Sequence, residues 1–274
     1  MMNNYSEPYR SRMRYSSLEK QTPLILALDF ENIDDSLFQR CNILISDLGG
    51  KLCAVKVNFH LLLSLSRKEI LDLNKFAREN NLQVIADIKL NDIGNTNKIT
   101  VDRLCDLGFD AVIMNPFIGI TETKSLIDYA HSLNFGVICL LFMSHPGAIE
   151  GYGLKIVTSN RPDSIFHKCE KHSNKNEFMY IYNLFYNYGK SSNADGFVIG
   201  ATRTEIIKEI STLDKEEIPI YSPGLLTQGG NITKTINSGA DYLIVGRFIL
   251  HSKSPIQKTD YLLKEIRKNK RFQY

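Results

Sequence analysis

Ala86-Asp87-Ile88-Lys89-Leu90-Asn91-Asp92-Ile93-Gly94-Asn95-Thr96 follows directly on the apolar pair Val84-Ile85 and sets two acids and a lysine where that run ends. On an extended backbone successive side chains alternate between faces, so Asp87 and Lys89, two residues apart, point the same way. Asp92 lies beyond the strand end, on a loop that either returns over the same place or reaches across to a neighbouring subunit. Lys56 closes the preceding run, Ala54-Val55-Lys56-Val57-Asn58. Neighbouring strands lie about 5 Å apart, which makes a Lys–Asp–Lys–Asp array sterically reasonable.

Outward from this segment the same alternation of a short β-branched run with a longer amphipathic one repeats along the chain. The pairs are 24–29 with 34–48, 52–57 with 68–80, 83–87 with 96–107, and 111–115 with 123–133. They continue as 136–142 with a helix within 161–188, 196–199 with 202–211, 218–222 with 231–238, and 242–245 with 255–268. Eight such units predict a single (β/α)8 TIM barrel. An open doubly wound sheet alternates in the same way, and periodicity does not separate the two. The polar residues do: Asp29, Lys56, Asp87, Asn115, Ser144, Ser222 and Arg247 all fall at or just past the C-terminal end of a predicted strand. A barrel gathers those ends on one rim, where barrel active sites lie.

Composition agrees with one large domain over residues 23–274. The 274 residues are 43% hydrophobic and 23% charged, which suits one packed core with a soluble surface. A net charge of +3 makes no case for nucleic acid. Five cysteines, Cys41, Cys53, Cys105, Cys139 and Cys169, are odd in number and far apart, which predicts neither disulfides nor a zinc site. With no secretory signal and no long apolar stretch, the expectation is a cytoplasmic protein off the membrane. Two segments stand outside the repeat. Residues 1–22 read as an N-terminal extension, a solvated or surface-packed tail; residues 150–193, with Tyr180, Tyr182, Phe185, Tyr186 and Tyr188, read as an elaborated rim element or extra packing.

Phosphate chemistry is legible near the end of the chain. Gly229, Gly230 and Gly246 leave backbone amides open to an anion, and Arg247 offers a bidentate fork at the eighth strand end. Loops after strands seven and eight commonly hold phosphate in such barrels.

The pattern Asp-x-Lys-x-x-Asp-Ile-x-Asn-Thr at 87–96 resembles the signature of orotidine 5′-phosphate decarboxylases. Leu28-Asp29, Met143-Ser144-His145-Pro146-Gly147, Ser222-Pro223-Gly224 through Gln228-Gly229-Gly230, and Val245-Gly246-Arg247 match it in order and spacing. The resemblance spans roughly residues 24–256. It implies decarboxylation of orotidine 5′-monophosphate to UMP without cofactor or metal. Lys89, Asp87, Asp92 and Lys56 would be the catalytic set, with Lys89 protonating ring carbon 6. It further implies substrate contacts by Asp29, Lys56, Asp87, Ile93, Thr96, Ser144, Pro223, Gln228, Gly229, Gly230, Gly246 and Arg247. Asp29 would hold ribose, Ser144 the pyrimidine and Gln228 the phosphate end. A homodimer is implied whose sites borrow Asp92 and Thr96 from the other subunit. His145 is read as structural, and Arg203 is left without a role. A relative on the same barrel, of the ketogulonate-phosphate decarboxylase type, shares Asp-x-Lys-x-x-Asp around Mg²⁺. The Ser144–Gly147 and Pro223–Gly230 segments argue against it.

Overall fold

The computed structural model describes residues 6–157, 178–214 and 217–272. Eight parallel strands close on themselves: β1 (Leu24–Leu28), β2 (Ala54–Asn58), β3 (Gln83–Leu90), β4 (Ala111–Met114), β5 (Gly136–Phe142), β8 (Gly196–Ile199), β9 (Ile220–Pro223) and β10 (Tyr242–Val245). β6 (Lys155–Val157) and β7 (Phe178–Tyr180) form a separate antiparallel hairpin. The outer layer comprises α2 (Leu37–Leu48), α3 (Phe59–Ser64), α4 (Arg67–Glu79), α5 (Gly94–Asp106), α6 (Ile120–Ser132), α7 (Ile181–Ser191), α8 (Thr204–Asp214), α9 (Ile232–Asn237), α10 (Arg247–Leu250) and α11 (Pro255–Arg267). No described helix is long and apolar enough to cross a membrane.

Alternation along each strand builds two apolar layers. Ile25, Ile85, Ile113, Ile138, Leu140 and Ile244 fill the barrel, whereas Leu24, Leu26, Val84, Val112, Val137 and Leu243 pack outward against the helices. Polar groups at the strand N-termini are handled by a recurring device. Asp110, Asp195 and Asp241 each precede a strand and accept the amide of Val84, Val137 and Ile220 respectively, all at 2.8 Å. These buried amides therefore have partners where the ladder starts.

Of the two readings of the N-terminal segment, the packed one holds. Residues Tyr9–Glu19 form helix α1, whose Tyr9, Arg12, Met13 and Ser16 are buried, with Tyr9 and Met13 in the interior cluster. Tyr9 lies against Gly136, where any side chain would collide: an added Cβ would stand 2.3 Å from the tyrosine ring. The helix seals the N-terminal end of the barrel, the face opposite the rim.

Within residues 150–193, the described stretches 150–157 and 178–193 hold the hairpin and α7. Ile181 and Tyr182 donate to the carbonyls of Leu154 and Tyr152, docking this excursion on the loop after β5. The fifth helix, expected within 161–188, is found at Ile181–Ser191, and residues 158–177 lie outside the described ones.

Candidate active site

Side chains from all eight barrel strands and the loops that follow them surround a rim cavity of about 270 Å³. Its floor is a chain of charges. Lys56 Nζ donates to Asp87 Oδ2 at 2.6 Å, and Lys89 Nζ to Asp87 Oδ1 at 2.9 Å. Lys56 also donates to Asn58 Oδ1, and Asn58 Nδ2 donates to Asp29 Oδ1 at 2.7 Å. An unbroken line Asp29–Asn58–Lys56–Asp87–Lys89 results. Burial alone would raise the Asp87 carboxyl, but the two ammonium groups and their hydrogen bonds outweigh it and hold the acid at about 2. The site therefore contains a permanent anion between two cations.

The geometry differs from a plain strand. Lys89 has φ +47°, in the left-handed region, and the β3–β4 register shifts between Ala86 and Leu90. A lysine in that region costs about 1–3 kcal/mol, so surrounding packing must impose it. The bulge, rather than simple alternation, brings Lys89 back onto Asp87. Lys56 is not at a strand tip either: β2 runs on to Asn58, and Lys56 is 4% exposed, one layer deeper than the sequence suggested.

Apolar side chains from the strands, Ala27, Ile113, Leu140, Val198 and Ile244, line the same cavity. Ser144 and Gln228 close another side. Gly224, at φ +90°, lies between them: a Cβ there would meet Gln228 Oε1 and Ser144 Cβ, both at 2.6 Å. Thr202 Oγ1 donates to the Ser144 carbonyl at 2.9 Å and fixes that turn. Arg247 and Gly246 also line the cavity, Gly246 beside Asp29. Gly246 lets the end of β10 lie against β1, since a Cβ there would approach the Ala27 carbonyl to 3.2 Å.

Asp29, Lys56, Asp87, Lys89, Ser144, Pro223, Gln228, Gly246 and Arg247 thus meet in one cavity, as the sequence suggested. Asp92, Ile93, Thr96, Gly229 and Gly230 do not line it. Gly230 serves packing, since a Cβ would come within 2.7 Å of Ala201 Cβ. His145, read as structural, lines the cavity. Arg203 acquires a place outside it, donating to the Pro146 carbonyl at 3.3 Å and lying over the Phe142 ring. Of the other strand-end residues, Asn115 accepts from the Phe117 amide and Ser222 is fully buried; neither enters the cavity. Asn58 and Gly224 were missed. Asn58 carried a signal, standing two residues after Lys56 and hence on the same strand face.

Fold and site together define a β/α barrel whose rim pocket holds a lysine–aspartate array, apolar side chains and an arginine. Similarity narrows the class. The model of the orotidine 5′-phosphate decarboxylase / HUMPS family matches residues 22–261, and the chain belongs to that family. It is 30% identical to the orotidine 5′-phosphate decarboxylase of Methanosarcina acetivorans, over 94% of this chain and all of the relative. Among solved structures, it is similar to orotidine 5′-monophosphate decarboxylase from Methanocaldococcus jannaschii complexed with the inhibitor BMP. That likeness has a TM-score of 0.68 at 28% identity, covering 89% of this chain and 97% of the other. A Toxoplasma gondii structure described as a putative orotidine-monophosphate decarboxylase superposes with TM-score 0.78 at 15% identity, covering 97% of this chain and 98% of the other; this bears on fold alone.

Proposed function

We infer that this chain decarboxylates orotidine 5′-monophosphate to UMP and CO₂. The observation that carries the reading is the Lys56–Asp87–Lys89 array at 2.6 and 2.9 Å, sharing one cavity with apolar side chains and with Arg247. Breaking the bond from ring carbon 6 to its carboxylate releases CO₂ and leaves an electron pair on that carbon. No adjacent carbonyl delocalises the pair, so stabilisation must be electrostatic. A fixed ammonium in a water-poor pocket supplies it, because charge interactions strengthen as the local dielectric falls. Lys89 then gives its proton to carbon 6, forms the new C–H bond and recovers a proton from solvent. Asp87 accepts a hydrogen bond from each lysine and so holds both ammonium groups in the cavity. It also repels the substrate carboxylate by about 4 kcal/mol at 4 Å and an effective dielectric of 20, a contribution we rank second.

Phosphate binds at Arg247, Gly246 and the loop carrying Gln228, Gly229 and Gly230; Asp29 takes ribose hydroxyls, and Ser144 with Pro223 contacts the ring. The chain acts as a homodimer with Asp92, Ile93 and Thr96 reaching the other subunit's cavity. Supporting this are apolar side chains left open after β2, β3 and β4: Phe59 and Leu63 on α3, Ile93 beside Asp92, and Phe117 in the turn after β4 are 53–74% exposed. Exposed apolar side chains of this kind mark an interaction surface, here one for a second copy. The four described cysteines are unpaired, in keeping with a reducing, cytoplasmic setting.

Loss of orotidine monophosphate absorbance in excess EDTA tests the reaction. The expected outcome is full turnover with chelator. Arg247→Ala should lower kcat/KM by about 1.5–3 kcal/mol of transition-state stabilisation, with a much smaller loss on the unphosphorylated nucleoside. Absence of turnover, or its abolition by EDTA, would overturn the reading; equal Arg247→Ala losses on both substrates would remove Arg247 from the phosphate site.

A further inference from the structure

Helix α5 begins two residues after Asp92 and has no cap from its own sequence. Ile93 holds the N-cap position and gives no side-chain acceptor, and no acid occupies the first turn. A helix leaves its first amides without internal partners, and a carboxylate there is favoured both as acceptor and by the helix dipole. The missing acceptor comes from the next β/α unit: Gly94 N donates to Glu122 Oε2 at 2.7 Å. Glu122 stands in the first turn of α6 and is half-buried. Gly94 has φ +45°, a turn that glycine makes without a Cβ penalty as the chain passes from loop to helix.

Two other contacts shape the loop from within its own unit. Ile93 N donates to Asp92 Oδ1 at 2.8 Å, and the buried Asn97 donates from Nδ2 to the Asp92 carbonyl. These set the loop's internal shape. Glu122 ties that shape to α6, and so to the body of the barrel.

We propose that Glu122 is a positioning residue for the active site of the other subunit: by capping Gly94 it fixes how the Asp92 loop leaves its own barrel. The inference rests on the shared-site reading above. Glu122 lies outside the cavity lining and acts through the loop it holds.

Mixed dimers test this. Combining Lys89→Ala chains with Asp92→Ala chains leaves one complete site per heterodimer, with Lys89 from one chain and Asp92 from the other. Glu122→Ala is then added to each chain in turn. On the Lys89→Ala chain, which supplies the working loop, it should lower kcat/KM about tenfold, the scale of one lost charge-assisted bond. On the Asp92→Ala chain, whose loop serves only the dead site, the mixture should keep its activity. Glu122→Gln on the supplying chain retains an oxygen that accepts from Gly94 N and should recover most of the loss. Equal losses in the two arrangements, no loss in either, or a glutamine variant as damaged as alanine would each overturn the proposal. Weakened folding or dimer formation would act equally in both arrangements, and native mass spectrometry reads the dimers directly. If the parent mixture exchanges subunits yet stays at background, the shared-site reading fails and this inference with it.

Discussion

At the rim, Asp87 is held between Lys56 at 2.6 Å and Lys89 at 2.9 Å; at the opposite end, Asp110 is held between Arg78 at 3.0 Å and Arg12 at 3.4 Å. Both are acids between two cations, yet they differ in every property that chemistry would use. Asp110 also accepts the Val84 amide and is 1% exposed, and burial raises its carboxyl in spite of both guanidiniums. Asp87 is driven the other way, to about 2. The Lys89 side chain is 43% exposed to the cavity, whereas the Arg12 side chain is 3% exposed under α1. A lysine can part with a proton and shift about a flexible stem; an arginine stays charged and grips through a planar fork. One triad is thus built to act on a ligand and the other to hold α1 in place.

The largest effect that would separate the two ends is on rate. Lys89→Ala should lower kcat by at least about 10³-fold, since it removes both the stabilising cation and the proton donor. Its melting transition should stay near that of the parent, and near-normal kcat in a folded variant would end the distinction. Arg12→Ala should do the reverse. It takes one of two cations from a buried acid and also ends bonds to Gln83 and to the carbonyls of Glu7 and Asn134. Removing one partner of a buried pair costs about 3–5 kcal/mol of stability. The kcat of the fraction still folded should be unchanged, and denaturant titration beside active-site-normalised rates would show whether it is.

The rim was more legible in the sequence than the floor, for physical reasons. Strand ends at 136–142, 196–199 and 242–245 agree with the structure because each is a continuous apolar run with glycine at a boundary. The seventh strand starts at Ile220 and not at 218. Pro219 has no N–H to give to a ladder. The first barrel helix starts at Leu37, not near 34, because Asp34 accepts from the Ser36 amide and hydroxyl in a turn of its own. The bulge at Lys89 left no mark in local pattern, since register against β4 is set by residues more than twenty positions away. Helix α1 was hidden for a related reason. Its buried face mixes Tyr9 and Met13 with Arg12, Ser16 and Ser17, and Arg12 becomes buriable only through Asp110, distant in sequence.

The smallest expected effect concerns acid. Asp87 has an ordinary value of 3.8 and a folded value of about 2, so the folded protein binds the proton less readily than the unfolded chain. Its stabilising contribution is therefore complete above 3.8 and is lost as pH falls through about 2. The size is about 2 kcal/mol for a group whose side chain is 11% exposed. Asp110 has the opposite sign: its raised carboxyl favours the folded state when protonated, a contribution complete below the ordinary value and lost as pH rises through the folded one. Comparing urea stability of the parent with Asp87→Asn between pH 5 and pH 2 isolates the rim acid, because Asp110 is common to both proteins. Their difference in unfolding free energy should shift by about 2 kcal/mol across that window, in the direction that removes the parent's advantage as acid is added. A difference independent of pH would mean that the lysines do not hold Asp87 ionised, and the contrast between the two ends of the barrel would reduce to exposure alone.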